Sequence, residues 1–304
     1  MTTLDAIGFG ALNVDKLFKV NQIAAAEEES VITDCKESCG GSAANTMVAL
    51  ARLGCKVSFI GKVARDREGR MLLDDFHREN VDTTNVVLAK QGRSGTVMGF
   101  VDEKGERALY IDSGVNDKIE LKELNTEHIF KTKFLHLTSF VGARSLQTQK
   151  RLLQMLPENT LVSFDPGIIY ARMGLKELNS MVMRTFVMMP NVIELELLTG
   201  KTDYRKGTEL LLSKGVNTVA VKLGAKGCYV TDGRKSHLIE AYRVKVVDTT
   251  GAGDAFCAGF LYGLIKGKAL LDCGRIGNFV ASRCVMKVGA RPGLPKAQDL
   301  GLFA

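Results

Sequence analysis

Asp248-Thr249-Thr250-Gly251-Ala252-Gly253-Asp254-Ala255-Phe256 places three small residues and then a carboxylate where an apolar helical pattern begins, continued by Phe260, Leu261 and Leu264. Glycines let the backbone approach a ligand closely, and the first amides of a helix have no partner within it. Together with the helix dipole, those amides favour an anion such as a phosphoryl group in transfer. Asp254 at that end can accept a hydroxyl proton while the amides hold developing charge, a division of labour that phosphoryl transfer needs. Gly-x-Gly-Asp alone would read as a turn carrying a dipole-complementing aspartate. The Asp-Thr-Thr lead-in and further elements elsewhere in the chain move the reading towards chemistry.

Outward from this stretch, helices are predicted over about 252–265 and 271–286. Upstream, short β-rich runs alternate with longer helical ones, the pattern of a parallel sheet covered by helices. Strands are expected at 6–12, 56–63, 134–137, 161–165, 186–189 and 218–222. A helix is expected over 42–53, closed by Gly54, and Asp66 can cap the next one, with Leu72, Leu73 and Phe76 inward. Two segments break the rhythm. Residues 16–38 and 94–113 carry short alternating runs, the second with a hairpin turn around Gly105. Both read as one small antiparallel sheet projecting from the body, whose apolar face needs a substrate, the body or another subunit to cover it. No linker or internal repeat divides residues 1–304, so a single domain with this appendage is expected.

Composition narrows the function classes. Hydrophobic residues make up 45% and charged residues 25%, ordinary for a globular chain. The net charge is +7, but basic and acidic residues are interleaved, Trp is absent and no polybasic run occurs, so nucleic-acid binding is not expected. No run is long and apolar enough for a membrane span. Met1-Thr2-Thr3-Leu4-Asp5 lacks the pattern of a signal peptide, and seven scattered cysteines without paired ligand spacing fit a reducing, cytoplasmic setting.

The sequence resembles the ribokinase-like (PfkB) family of carbohydrate and nucleoside kinases. Residues 248–254 match its C-terminal signature, and Gly40-Gly41-Ser42-Ala43-Ala44-Asn45 with Gly61 its N-terminal one. Asn191-Val192-Ile193-Glu194 matches its Asn-x-x-Glu element, and Lys222-Leu223-Gly224-Ala225-Lys226-Gly227 its Gly-x-x-Gly element, all in the family's order. The resemblance implies an α/β fold: a three-layer αβα sandwich with a mostly parallel central sheet and a small antiparallel β lid. It implies an ATP-dependent kinase in which Asp254 is the base and the amides of Gly251, Ala252 and Gly253 form the anion hole. Asn191 and Glu194 would organise Mg²⁺ and the phosphates, mostly through water. Lys222, Gly224 and Gly227 would lie along the ATP, and Asn278 near the adenine. Asp248, the Thr250 carbonyl and carbonyls between Cys284 and Gly293 match a monovalent-cation site, potassium in many members. Without the resemblance, Glu194 would read as a surface helix residue and Lys222 equally as a solvated strand end.

For the acceptor, Asn13, Asp15, Gly40, Gly41 and Asn45 offer carboxamides, a carboxylate and close backbone approach, suited to the adjacent hydroxyls of a polyol or ribose. A lysine that often follows the paired glycines is replaced by Ser42, so ribose or a related free sugar is only narrowly ahead of a nucleoside. A phosphosugar would need an anion site, for which Arg93, Arg107 and Arg144 are candidates. Gly8-Phe9-Gly10 offers a dinucleotide-binding reading, but Asn13 stands where the third glycine belongs and no crossover helix follows at once. A non-catalytic binding protein on the same fold would have lost the base or the anion hole, and both are present. The apolar lid face suggests a homodimer in which lids pair.

Overall fold

Apolar side chains leave the central strands on alternate sides, and that alternation dictates the layers. In β1 (Leu4–Phe9), Ala6 joins one buried cluster while Ile7 and Phe9 join another. A sheet buried on both faces needs helices on both. In the computed structural model, which describes residues 4–303, the helices Ser42–Arg52, Arg67–Arg78, Ala252–Ile265 and Leu270–Cys284 cover one face. The helices Ala143–Met155, Gly174–Arg184, Val192–Thr199 and Tyr204–Ser213 cover the other. As expected from the sequence, Asp66 caps its helix, accepting from the Gly69 amide at 2.7 Å.

The remaining strands, in chain order, are β2 (Asn13–Val20), β3 (Ile32–Gly40), β4 (Val57–Ala64), β5 (Val81–Ala89), β6 (Gly95–Val101) and β7 (Arg107–Asp112). They continue with β8 (Thr132–Leu137), β9 (Leu161–Phe164), β10 (Val187–Met188), β11 (Thr218–Lys222), β12 (Cys228–Thr231) and β13 (Ser236–Ile239). Nine of them form one sheet in the order β13-β12-β11-β10-β9-β8-β1-β4-β5, parallel except for the hairpin pairings of β11, β12 and β13. Sequence reading did not find β5, β12 or β13. β5 is an edge strand whose Asp82, Thr83, Thr84 and Asn85 break any apolar run, and β12 and β13 are four residues each.

The second sheet has the order β3-β2-β6-β7. Its outer pairs are antiparallel, but β2 and β6 run parallel. The reason is connectivity: β2 continues from the carboxyl end of β1 and β6 from that of β5, so both leave the body in the same direction. Asp15, Val97 and Ile111 share one row of this sheet, and Leu17, Gly99 and Leu109 share the next row on the same face.

The carboxyl ends of the parallel strands therefore meet under this four-stranded sheet. Ligands of open α/β sheets bind outside those ends. Gly8 and Gly10 serve packing instead: a Cβ on Gly8 would stand 2.6 Å from Met47 Cγ and one on Gly10 2.2 Å from Thr138 Oγ1. The chain then passes into β2 with no crossover helix, so the dinucleotide-binding reading fails.

Candidate active site

Two cavities open at this end and meet at one carboxylate. The larger, about 670 Å³, runs past Asn191, Glu194, Lys222 and Asp165 to an apolar end containing Tyr242 and Val246. The smaller, about 390 Å³, lies under the four-stranded sheet and is lined by Asn13, Asp15, Gly41, Asn45, Asn116 and Asp117 among others. Ser42, Ser139, Gly253 and Asp254 line both. A group bound in either cavity would face Asp254.

Asp254 occupies the first turn of the helix Ala252–Ile265, which starts at Gly251 in the left-handed region, φ 78°. A Cβ on Gly251 would also lie 2.5 Å from Ala290 Cβ, so geometry and packing both demand glycine here. The Ala252 amide donates to the Thr249 carbonyl at 3.2 Å, whereas among the described residues no protein group accepts from the Gly251 or Gly253 amides. Of the three amides singled out in the sequence, those of Gly251 and Gly253 are thus left open and that of Ala252 closes a turn. Asn45 Nδ2 donates to Asp254 Oδ2 at 2.8 Å. Burial raises the Asp254 carboxyl to about 7, the nearby Asp165 carboxylate adds to the rise, and the Asn45 hydrogen bond and the Lys222 ammonium oppose it.

Lys222 is not a solvated strand end. Its ammonium binds Asp165 Oδ2 at 2.7 Å and lies 3.4 Å from where a Cβ on Gly253 would sit, beside the open amides. Burial disfavours the ammonium, but Asp165, Cys257 and Glu194 together outweigh it and the lysine titrates above its usual range. Cys257 Sγ donates to the same Asp165 oxygen at 3.3 Å, and the other oxygen is buried without a partner.

Glu194 is buried too, at 7% exposure, for a reason the spacing contains. Asn191 caps the helix Val192–Thr199: its Oδ1 accepts from the Glu194 amide at 2.9 Å, and Glu194 Oε2 accepts from the Asn191 amide at 2.8 Å. Asn-x-x-Glu is here a capping box that aims its carboxylate into the larger cavity. Burial, then the Asp165 charge, raises the Glu194 carboxyl above its ordinary value.

Gly224 and Gly227 both line the larger cavity, and a Cβ on Gly227, φ 93°, would fall 1.9 Å from the Ile239 carbonyl oxygen. Asn278 reaches the same wall, but Nδ2 donates to the carbonyls of Ile239 and Glu240 at 3.1 and 3.0 Å, holding that loop in place. Asp248 binds its own loop: Oδ1 accepts from the Thr250 amide and hydroxyl, and Oδ2 from the Gly289 amide. The Thr250 and Ala290 carbonyls converge on Cys284 Sγ at 3.5 and 3.3 Å.

The site's residues thus gather as two linked groups. The sequence profile of the pfkB family of carbohydrate kinases matches residues 5–297. The chain belongs to that family. An uncharacterized sugar kinase of Archaeoglobus fulgidus is 49% identical over 83% of this chain and 100% of its own length. Ribokinase of Haemophilus influenzae is 28% identical over 95% of each chain. The structure of Arabidopsis thaliana ribokinase complexed with ribose and ATP superposes with a TM-score of 0.87 at 22% identity, covering 99% of each chain. This pfkB-family chain is accordingly a sugar kinase, a phosphotransferase with a hydroxyl acceptor, on the ribokinase-like fold.

Within this kinase, several residues singled out in the sequence lie around the smaller cavity. Gly40 does not line the smaller cavity; a Cβ there would lie 2.1 Å from Asp15 Oδ2, so the glycine makes room for that carboxylate. Asn13 Oδ1 accepts from Asn116 Nδ2 at 2.7 Å, and the Asn116 side chain also pairs with both backbone groups of Leu12. Burial raises Asp15 to about 6, held down in part by Arg291. Arg93, Arg107 and Arg144 do not reach the cavity: Arg93 pairs with Asp112 at 2.5 Å, Arg144 with Glu120 at 3.6 Å, and Arg107 sits exposed in β7. Sequence reading missed Asp165, Asn116, Asp117 and Arg291. Asp165 had a usable signal, a carboxylate ending a buried parallel strand. Asn116 and Arg291 act on residues 104 and 246 positions away, and no local pattern announces them.

Proposed function

We propose that this sugar kinase transfers the γ-phosphate of ATP to a hydroxyl of a neutral free sugar, ribose or a close relative, with Asp254 as general base. The single observation carrying this reading is that Asp254 lines both cavities at a helix start with open amides. The larger cavity takes ATP, its apolar end the base and its Lys222 end the phosphates. The Gly251 and Gly253 amides and the Lys222 ammonium receive the charge that builds on the transferring group. Asn13, Asp15, Gly41 and Asn45 hold the acceptor, and the four-stranded sheet acts as a lid that excludes water.

The acceptor cavity supports a neutral substrate. Among the described residues it presents Asp15, Asp117 and Asp254 and no lysine or arginine. A phosphosugar or sugar acid would bring its anion among these carboxylates with no cationic side chain on the cavity wall to meet it. Val97, Ile111, Val141 and Ile169 on the remaining wall favour a second reading, in which the ribose belongs to a nucleoside whose base lies against them.

Mg²⁺ fits the donor set: the buried, unpartnered Asp165 oxygen and the Glu194 carboxylate are hard oxygen donors facing the phosphate end. Glu194 and Asn191 would hold the ion through water; when bound it neutralises phosphate charge. The converging Thr250 and Ala290 carbonyls suit a monovalent cation such as potassium. Leu17 and Leu109 extend the lid's apolar surface past the cavity row and suit a lid-to-lid homodimer, which a purely monomeric sedimentation profile would contradict.

The test is ATP turnover with Mg²⁺ on free sugars, sugar acids, sugar phosphates and nucleosides, run with potassium or choline as the only monovalent cation. Turnover on neutral sugars, faster in potassium, is expected. Turnover restricted to anionic acceptors would refute the substrate reading, and equal rates in both salts the cation reading.

A further inference from the structure

We infer that Arg291 is a positioning residue whose guanidinium fixes the amide of Asn45 so that Nδ2, and not Oδ1, faces Asp254. The inference rests on the reading of Asp254 as the base. Arg291 follows the helix Leu270–Cys284 and is buried to 7% exposure. Its Nε donates to Asn45 Oδ1 at 2.8 Å, and its Nη1 binds the carboxylate of Asp75 on the helix Arg67–Arg78. Its backbone is tied as well: the Arg291 carbonyl accepts from Arg52 Nη1 at 2.6 Å, and Arg52 is held by both oxygens of Glu79 at 2.8 and 2.6 Å.

A guanidinium carries donors only, so the Asn45 atom that meets it must be the carbonyl oxygen. The other end of the amide is then Nδ2, and it donates to Asp254 Oδ2 at 2.8 Å. A flipped Asn45 would set its oxygen against the Asp254 carboxylate and its NH₂ against the guanidinium. Two such mismatches in a buried network are costly. The fixed amide occupies Oδ2 and leaves Oδ1 of Asp254 for the acceptor's proton. The same guanidinium favours the ionised form of Asp15, which lines the acceptor cavity. Arg291 itself lines neither cavity. Its influence therefore reaches the base and the acceptor, not the ATP.

The experiment is a double-mutant cycle on the neutral-sugar reaction, with thermal unfolding of every variant as the folding control. Arg291→Met is expected to lower kcat by about 10- to 100-fold, the scale of a misplaced reacting group, and to raise the acceptor KM while the ATP KM holds. In an Asn45→Ala background the same change should lower kcat no further. Asp75→Asn, which loosens the guanidinium from its far side, should give the same split at smaller size, and it carries the test if Arg291→Met does not fold. Additive kcat losses in the cycle, or equal rises in both KM values, would overturn the inference. Failure of the base assignment is told apart by Asp254→Asn, which would then keep near-normal turnover.

Discussion

Asp254→Asn is expected to lower kcat by about 10²- to 10⁴-fold, the range that a positioned general base contributes, while both KM values stay close to wild type. Asparagine keeps the shape and can still meet Asn45, so the cavities and their ligands are retained; only proton acceptance is lost. The pH profile gives an independent view. Burial raises Asp254 to about 7, so the competent, ionised form grows as pH rises through 7. The acceptor kcat/KM should therefore climb on the acid side and level off above that value. Asp15, at about 6, adds a lower limb, since it too must ionise to hold the acceptor. In Asp254→Asn the limb at 7 should vanish. A variant with near-wild-type turnover and an unchanged limb would remove Asp254 from the mechanism.

Lys222→Met should lower kcat by about 10²- to 10³-fold, the scale for losing one preorganised partner of developing charge, and should also weaken the fold. The two effects have different origins. Activity falls because the ammonium beside Gly253 is gone. Stability falls because Asp165 is left buried and ionised with one oxygen already unpartnered, a loss of about 3–5 kcal/mol. Adding Asp165→Asn removes the stranded charge. The double variant should regain most of its urea resistance and none of its kcat. Recovery of both together would mean that Lys222 serves only to neutralise Asp165.

The elements around the chemistry were legible because they combine local pattern with strong constraint. The helix over 252–265 and the strand over 218–222 coincide with the observed Ala252–Ile265 and Thr218–Lys222, where apolar runs end at glycines and a lysine. The 94–113 hairpin was equally readable from its turn. What escaped depends on strand order. Lys222 was singled out through the resemblance, but its partner was not: β9, β10 and β11 lying side by side bring Asp165 against it. Helical periodicity alone would have left Glu194 on the surface; its burial comes from the Asn191 capping box, which the spacing does contain. The parallel pairing of β2 and β6 follows from which edge of the large sheet each strand leaves, a fact of topology that no single segment carries. The links of Asn45 to Arg291 and Asp254, 246 and 209 positions away, were likewise beyond any local pattern.

The most direct test of the central claim is to follow the γ-phosphate itself. Enzyme, Mg²⁺ and ATP labelled at the γ position are mixed with ribose or another neutral free sugar, and the label is located by separating sugar phosphate from inorganic phosphate. Label on a sugar hydroxyl, with little released to water, is the predicted result. Label found only as inorganic phosphate, or transferred only to acceptors that already carry an anion, would contradict it.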